Sequence, residues 1–386
     1  MLILVINCGS SSAKYQLFDV SSHKVLARGA VDRIGQPGAT LTHHRGSEIV
    51  KRSVECRDHN VAINLIAEML ADKRRGVITS KSEITGVGHR VVHGAEEFKD
   101  STLITPRVIR SIEKYSELAP LHNPPAVLGI RACRNILPGV PQVAVFDTSF
   151  HQTMPPKAFL YGLPYRLYKK YGIRKYGFHG TSHRFVAEKA AEILRRPLRK
   201  LKLITCHLGN GCSMAAVDRA HSVDTTMGFT PLEGLLMGTR SGDLDPAVVF
   251  YIMEKEMVSP ETISDILNKE SGLLGVSGIS NDMRDILKAV SGKGEKAKWS
   301  RIAIEIFIYR IVKYIGAYHA AMGGLDAVIF TAGISENNPW LVGRVKAALK
   351  NVVPGKAAFM VIPTNEELLI ARDTFNIIKT LRQAQG

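Results

Sequence analysis

Two stretches of this chain share one layout. Residues 5–19 and 204–218 each read as an apolar strand, a small polar turn carrying glycine, a second apolar strand and an aspartate, at a constant offset. A hairpin with two apolar arms needs a sheet to bury it, so the echo predicts a duplicated domain. Around both copies, strands and helices alternate. Helical periodicity covers residues 61–71, 106–118, 125–136, 183–194 and 299–322, and a proline in the first turn opens 246–254 and 260–269. Short apolar runs at 84–92, 142–146 and 327–330 read as strands. Mixed alternation of this kind is the pattern of an α/β fold, and 386 residues suffice for two domains.

Composition mainly excludes. A hydrophobic fraction of 45% with 22% charged residues is globular, neither disordered nor fibrous. The net charge of +16 raises the question of a nucleic-acid or membrane partner. Its basic residues are scattered, however. The densest run (Arg195, Arg196, Arg199, Lys200, Lys202) has no interleaved aromatics, so it reads as a solvated connection. Five cysteines form no CxxC pair and no zinc spacing. Cys8 and Cys206 end apolar runs and are expected as small buried hydrophobes. The odd number points to a reducing compartment. Residues 1–6 are too few for a signal peptide, and no run approaches a membrane span, so the cytoplasm is the expected location.

Three loops follow apolar strands and are built to approach an anion. The hairpin tip Asn7-Cys8-Gly9-Ser10-Ser11-Ser12, with Lys14 beyond it, offers amide donors and hydroxyls. It is either an anion cradle or an ordinary tight hairpin, and it is not a Walker A loop. His207-Leu208-Gly209-Asn210-Gly211 and Thr331-Ala332-Gly333-Ile334-Ser335-Glu336-Asn337 are the others, the last entering a helix. Together the three point to a nucleotide. Arg90, in Gly88-His89-Arg90-Val91-Val92-His93-Gly94, and Arg240, in Gly238-Thr239-Arg240-Ser241-Gly242-Asp243, stand among small residues. Each is either a fork for carboxylate or phosphoryl oxygens or a structural ion pair. His122 sits in a proline-framed loop. His179 lies between Phe178 and Gly180, just ahead of a helix. Asp147 follows a strand, and so do Glu366 and Glu367; strand-end carboxylates suit Mg²⁺ or a base. Asn365 alternatively caps the helix that starts near Glu366.

Taken together these strings resemble the acetate kinase family over nearly the whole chain. The most specific are residues 88–94, Tyr176-Gly177-Phe178-His179-Gly180-Thr181-Ser182-His183, and 238–243. The resemblance implies two duplicated actin-like ATPase (ribonuclease H-like) α/β domains closing on a nucleotide and substrate cleft. The first would comprise 1–150 plus a C-terminal helix at about 368–386. The second, 151–367, would carry most nucleotide contacts. The implied reaction is reversible transfer of the γ-phosphoryl group of ATP to acetate, with Mg²⁺ and with Mn²⁺ as an alternative cation. Asn7 and Glu366 would hold the metal. Lys14, His207, Leu208, Gly209, Asn210, Gly211, Asp282, Met283, Arg284, Ala332, Gly333, Ile334, Ser335 and Glu336 would contact ATP. Arg90 would orient acetate, and Val92, Leu121, Phe178 and Pro231 would enclose its methyl. Asp147, His179, Arg240 and His122 would complete the catalytic set. A homodimer is implied as well, with no nucleic-acid and no membrane partner.

The chain departs from the family pattern at one functional loop, which usually reads Gly-Gly-Ile-Gly-Glu and here reads Ala332-Gly333-Ile334-Ser335-Glu336. Acetate is already anionic at neutral pH, so the expected chemistry is direct in-line transfer by positioning and charge neutralisation. A sister kinase for propionate or another short acyl group is the alternative, since a pocket separates one methylene by only about 1–3 kcal/mol.

Overall fold

The computed structural model describes residues 1–353 and 355–385. The chain forms two compact units, Met1–Phe150 with the C-terminal segment from Asn365, and His151–Thr364. The second boundary therefore falls between residues 364 and 365, ahead of the expected 367, and places Glu366 in the first unit. Residue 386, the end of the expected C-terminal segment, lies outside the described residues.

The first unit is built on eight strands: β1 (Leu2–Gly9), β2 (Ser12–Asp19), β3 (Lys24–Asp32), β4 (Thr40–Arg45), β5 (Glu48–Ser53), β6 (Ile84–Val91), β7 (Thr102–Leu103) and β8 (Gln142–Phe146). Their order is β5-β4-β3-β2-β1-β6-β8-β7. β1, β6 and β8 run parallel, while β1 to β5 form an antiparallel meander. β1 is buried on both faces. Leu4, Ile6 and Cys8 join one apolar cluster with Ala62, Ile63 and Ile66 from the helix His59–Leu70. Ile3 and Val5 join another with Ile370 and Ile378 from the helix Glu366–Gln385. Alternation of side chains along a strand makes this division automatic. Two glycines in β6 let the C-terminal helix dock. A Cβ on Gly86 would lie 2.2 Å from Ile378, and one on Gly88 would lie 2.4 Å from Thr374 Oγ1.

The second unit repeats the plan in five strands: β9 (Lys202–Leu208), β10 (Cys212–Asp218), β11 (His221–Thr225), β12 (Ala327–Thr331) and β13 (Ala358–Val361). The order is β11-β10-β9-β12-β13, with β9, β12 and β13 parallel. It matches β3-β2-β1-β6-β8 strand for strand, which is the duplication the echo predicted. The offset is not constant, though. Gly9 pairs with Ser12 across the first tip and Leu208 with Cys212 across the second, so the second turn is one residue longer. The helices Gly180–Ile193 and Glu295–Met322 both pack on β9. Asp245 and Ser259 cap the proline-opened helices Pro246–Glu256 and Pro260–Asp265. Among the described residues, no helix is long and apolar enough to cross a membrane. All five cysteines are free and buried, and burial pushes the Cys8 thiol up to about 12.

Candidate active site

Parallel strands deliver their functional groups at their carboxyl ends. In the first unit those ends carry Asn7 on β1, Arg90 on β6 and Asp147 just after β8. Asp147 donates its amide to Val91 O at 2.9 Å, which seats its side chain beside the neighbouring strand. Arg90 forms a two-pronged pair with it: Nε donates to Oδ1 at 3.3 Å, and Nη2 donates to Oδ2. Glu366 Oε2 stands 3.8 Å from Arg90 Nε, brought there by the C-terminal helix docked on β6. Burial pulls the Arg90 pKa down, but Asp147 and Glu366 outweigh it and hold the guanidinium above its ordinary value. Asn365 caps this helix, its Oδ1 accepting from Leu368 N at 3.0 Å, so the capping role and the delivery of Glu366 coexist.

Asn7, Lys14, Arg90, Val92 and His122 line one cavity of about 140 Å³, with Cys8, Gly9 and Ser12. Asn7 and Lys14 face each other across the β1–β2 hairpin. His122 reaches this cavity because the next residue, Asn123, is fully buried and tied to His93, accepting from its amide at 3.1 Å and donating to its carbonyl at 2.9 Å. Leu121 does not line the cavity and is 70% exposed. The donors gathered around Arg90 are oxygens: the carboxylates of Asp147 and Glu366 and the Asn7 amide. Among the described residues, no group of three His, Cys, Asp or Glu side chains could enclose a metal. Mg²⁺ and Mn²⁺ favour oxygen donors, and Mg²⁺ takes only one or two carboxylates, with water and phosphate oxygens for the rest, so this set fits such a cation.

The second unit gathers three separate loops around a cavity of about 580 Å³. Its walls are Gly209 and Asn210 after β9, Asn281, Asp282, Met283 and Arg284 at the start of the helix Met283–Val290, and Gly333, Ile334, Asn337 and Asn338 after β12. Asp282 caps its helix and also grips Arg284, Nη2 to Oδ2 at 2.6 Å; the arginine holds the carboxyl down at about 2. His207, Leu208, Gly211, Ala332, Ser335 and Glu336 do not line this cavity. Leu208 and Ser335 are fully buried. Glu336 Oε1 accepts from Ala332 N at 2.7 Å, and Ser335 Oγ donates to Thr331 O at 2.6 Å. Lys14, also expected at the nucleotide, belongs to the first unit.

His179 precedes the helix Gly180–Ile193 and adopts a left-handed conformation, φ 56°. Such a backbone is uncommon outside glycine and marks a constrained position. Its neighbours impose it: the buried His151 donates Nε2–H to Phe178 O at 3.0 Å. Gly177 (φ 76°) lies so close to that ring that a Cβ would fall 2.7 Å from His151 Cδ2. The His179 ring stacks on His207, centroids 4.2 Å apart. Phe178 is buried. Arg240 Nη1 donates to Pro231 O at 3.3 Å. Among the described residues Arg240 makes no ion pair, and burial lowers its pKa. Gly211 lies against both groups. A Cβ there would sit 3.3 Å from Arg240 Nη1 and 3.4 Å from His179 Cε1. One arginine is thus matched by carboxylates, while the other presents net charge beside a glycine loop. The contributions of Asn281 and Asn338 have no signal in the sequence beyond adjacency to the strings singled out, whereas Asn337 lies inside the loop 331–337 and Asn123 inside the proline-framed loop of His122.

Two α/β units of the same strand order, each with loops at the carboxyl ends of its parallel strands, define the class of α/β kinase to which solved acetate kinases belong. The acetokinase family profile matches residues 2–355. The chain is 54% identical to acetate kinase of Halothermothrix orenii over 98% of this chain and 100% of that protein. It is 52% identical to acetate kinase of Thermotoga maritima over 99% and 100%. The crystal structure of Porphyromonas gingivalis acetate kinase superposes with a TM-score of 0.92 at 43% identity, covering 98% of this chain and 99% of that one. A propionate kinase from Francisella tularensis subsp. tularensis gives 0.89 at 40% identity, covering 97% and 99%. The chain belongs to the acetokinase family.

Proposed function

We propose that this protein transfers the γ-phosphoryl group of ATP reversibly to acetate, giving acetyl phosphate and ADP by direct in-line displacement. The observation that carries the reading is Arg240, which has no carboxylate partner among the described residues, in the same unit as a cavity of about 580 Å³ walled by three loops. The adjoining Gly211 has no side chain to come between Arg240 and His179. Arg240 and His179 would donate to the phosphoryl oxygens as charge builds. The segments 207–211, 282–284 and 332–336 would hold ATP. Arg90 would orient the carboxylate of acetate, with Val92, Phe178 and Pro231 about its methyl, and Asp147 and His122 beside it. Mg²⁺, or Mn²⁺ in its place, would be held by Asn7 and Glu366 and would supply neutralisation of phosphate charge.

The homodimer and the cytoplasmic location belong to the same proposal, and light scattering reads the first. Propionate is the competing substrate, favoured by the propionate kinase likeness. The deciding experiment incubates the purified protein with MgATP and acetate, propionate or butyrate, and traps acyl phosphate with hydroxylamine. Acetohydroxamate is expected as the main product. Absence of product with acetate refutes the function, and faster turnover of propionate transfers it to the alternative.

A further inference from the structure

Behind His179 lies a line of buried polar groups. His179 Nδ1 is 2.9 Å from Ser213 Oγ. The same hydroxyl is 2.8 Å from His183 Nε2, and His183 Nδ1 is 2.7 Å from Thr205 Oγ1. Ser213, His183 and Thr205 are all fully buried. Burial, with lesser repulsion from His151 and His207, drives the His183 pKa well below 6.5. Its ring is therefore neutral, with one nitrogen donating and the other accepting. A neutral ring between two hydroxyls gives the whole line a direction.

Two directions close the bonds. In the inward sense His179 Nδ1–H donates to Ser213, Ser213 to His183 Nε2, and His183 Nδ1–H to Thr205. The Thr205 proton must then use Ala215 O, 3.5 Å away. That distance is at the limit of a hydrogen bond. In the outward sense Thr205 donates to His183 Nδ1, His183 Nε2–H to Ser213, and Ser213 to His179 Nδ1. All three bonds are then 2.9 Å or shorter, and the His179 proton sits on Nε2. That edge of the ring faces Gly211: a Cβ there would lie 3.6 Å from His179 Nε2.

We propose that Ser213, backed by His183 and Thr205, is a positioning residue that holds His179 with its proton on Nε2, directed at the Gly211 loop. His179 then donates to a phosphoryl oxygen without first ionising. The inference rests on the reading of His179 as a donor to the transferring group, and it explains why a buried histidine and two hydroxyls stand behind that ring.

The test uses the full-length protein and the variants His179→Ala, Ser213→Ala and their combination, with kcat and KM measured for acetate and MgATP. Ser213→Ala should lower kcat roughly 10–100-fold, the usual effect of removing an orienting partner, with little change in either KM. The double variant should be no slower than His179→Ala alone, because the serine acts only through that ring. Thr205→Val keeps the side-chain shape and repeats the test one link further back. Losses that multiply in the double variant, or an unimpaired Ser213→Ala beside a slow His179→Ala, overturn the relay. A His179→Ala protein with normal kcat sinks the donor reading itself. Independently of turnover, ¹⁵N spectra of the His179 ring should show the proton on Nε2, and a proton on Nδ1 alone overturns the proposal.

Discussion

Ala332 stands where the family pattern has glycine, and its backbone gives φ 67° and ψ 170°. This region is essentially reserved for glycine, and holding another residue in it costs about 1–3 kcal/mol. The surroundings enforce it. Glu336 binds the Ala332 amide at 2.7 Å, and Ser335 Oγ bonds the carbonyls of Thr331 at 2.6 Å and Ala332 at 3.2 Å. Ala332→Gly removes the strain but gives the unfolded chain more freedom, worth about 0.4–1 kcal/mol in the opposite direction. The net gain is on the order of 0.5–2 kcal/mol. For a unit of 150–250 residues that raises the midpoint by about 1–8 °C. Differential scanning calorimetry without nucleotide measures it, following the transition of the second unit. Ser335→Gly serves as the control of opposite sign, because it deletes a buried bond and weakens a helix, costing about 1–2 kcal/mol. An Ala332→Gly protein that melts at or below the parent refutes the strain argument.

Three further perturbations follow from the site and the core. Arg240→Ala should lower kcat by roughly 10²–10³-fold, the scale for one lost transition-state donor, and steady-state kinetics with near-normal turnover would remove its role. Arg90→Ala should raise the acetate KM roughly tenfold to a hundredfold, matching a charge-assisted bond of about 1.5–3 kcal/mol; an unchanged acetate KM counts against it. Stability should fall on acidification between pH 6.5 and about 4, because burial lowers both His89 and His151 to about 4 from an ordinary 6.5. The sign is fixed by linkage: the unfolded imidazoles take up protons in that window and the folded ones refuse them, so stability rises with pH across it. Thermal midpoints measured from pH 4 to 8 should show this slope, and His89→Gln should flatten it.

Strand-end loops were legible because they combine two strong local signals, an apolar run and a cluster of small residues. Gln142–Phe146 is predicted and observed with the same limits, since all five of its residues are buried and nothing in them competes with a strand. The meander was less legible. β5 has only Val50 buried among its six residues, so hydropathy carries no strand signal there, and pairing along the sheet edge creates the element. His179 is visible as a histidine between Phe178 and Gly180, whereas Ser213 looks like any serine in an apolar strand.

By itself, then, the order of residues determined the duplicated α/β plan, the family and the loops able to approach an anion, because each rests on short-range pattern. Only tertiary structure decided that Arg90 is matched by Asp147 and Glu366 while Arg240 makes no ion pair among the described residues, and that Ser213 joins two histidines. Electrostatic balance and proton direction depend on distances between residues far apart in the chain. Folding alone sets those distances, through strand register and through the glycines in β6 that let the C-terminal helix bring Glu366 to Arg90.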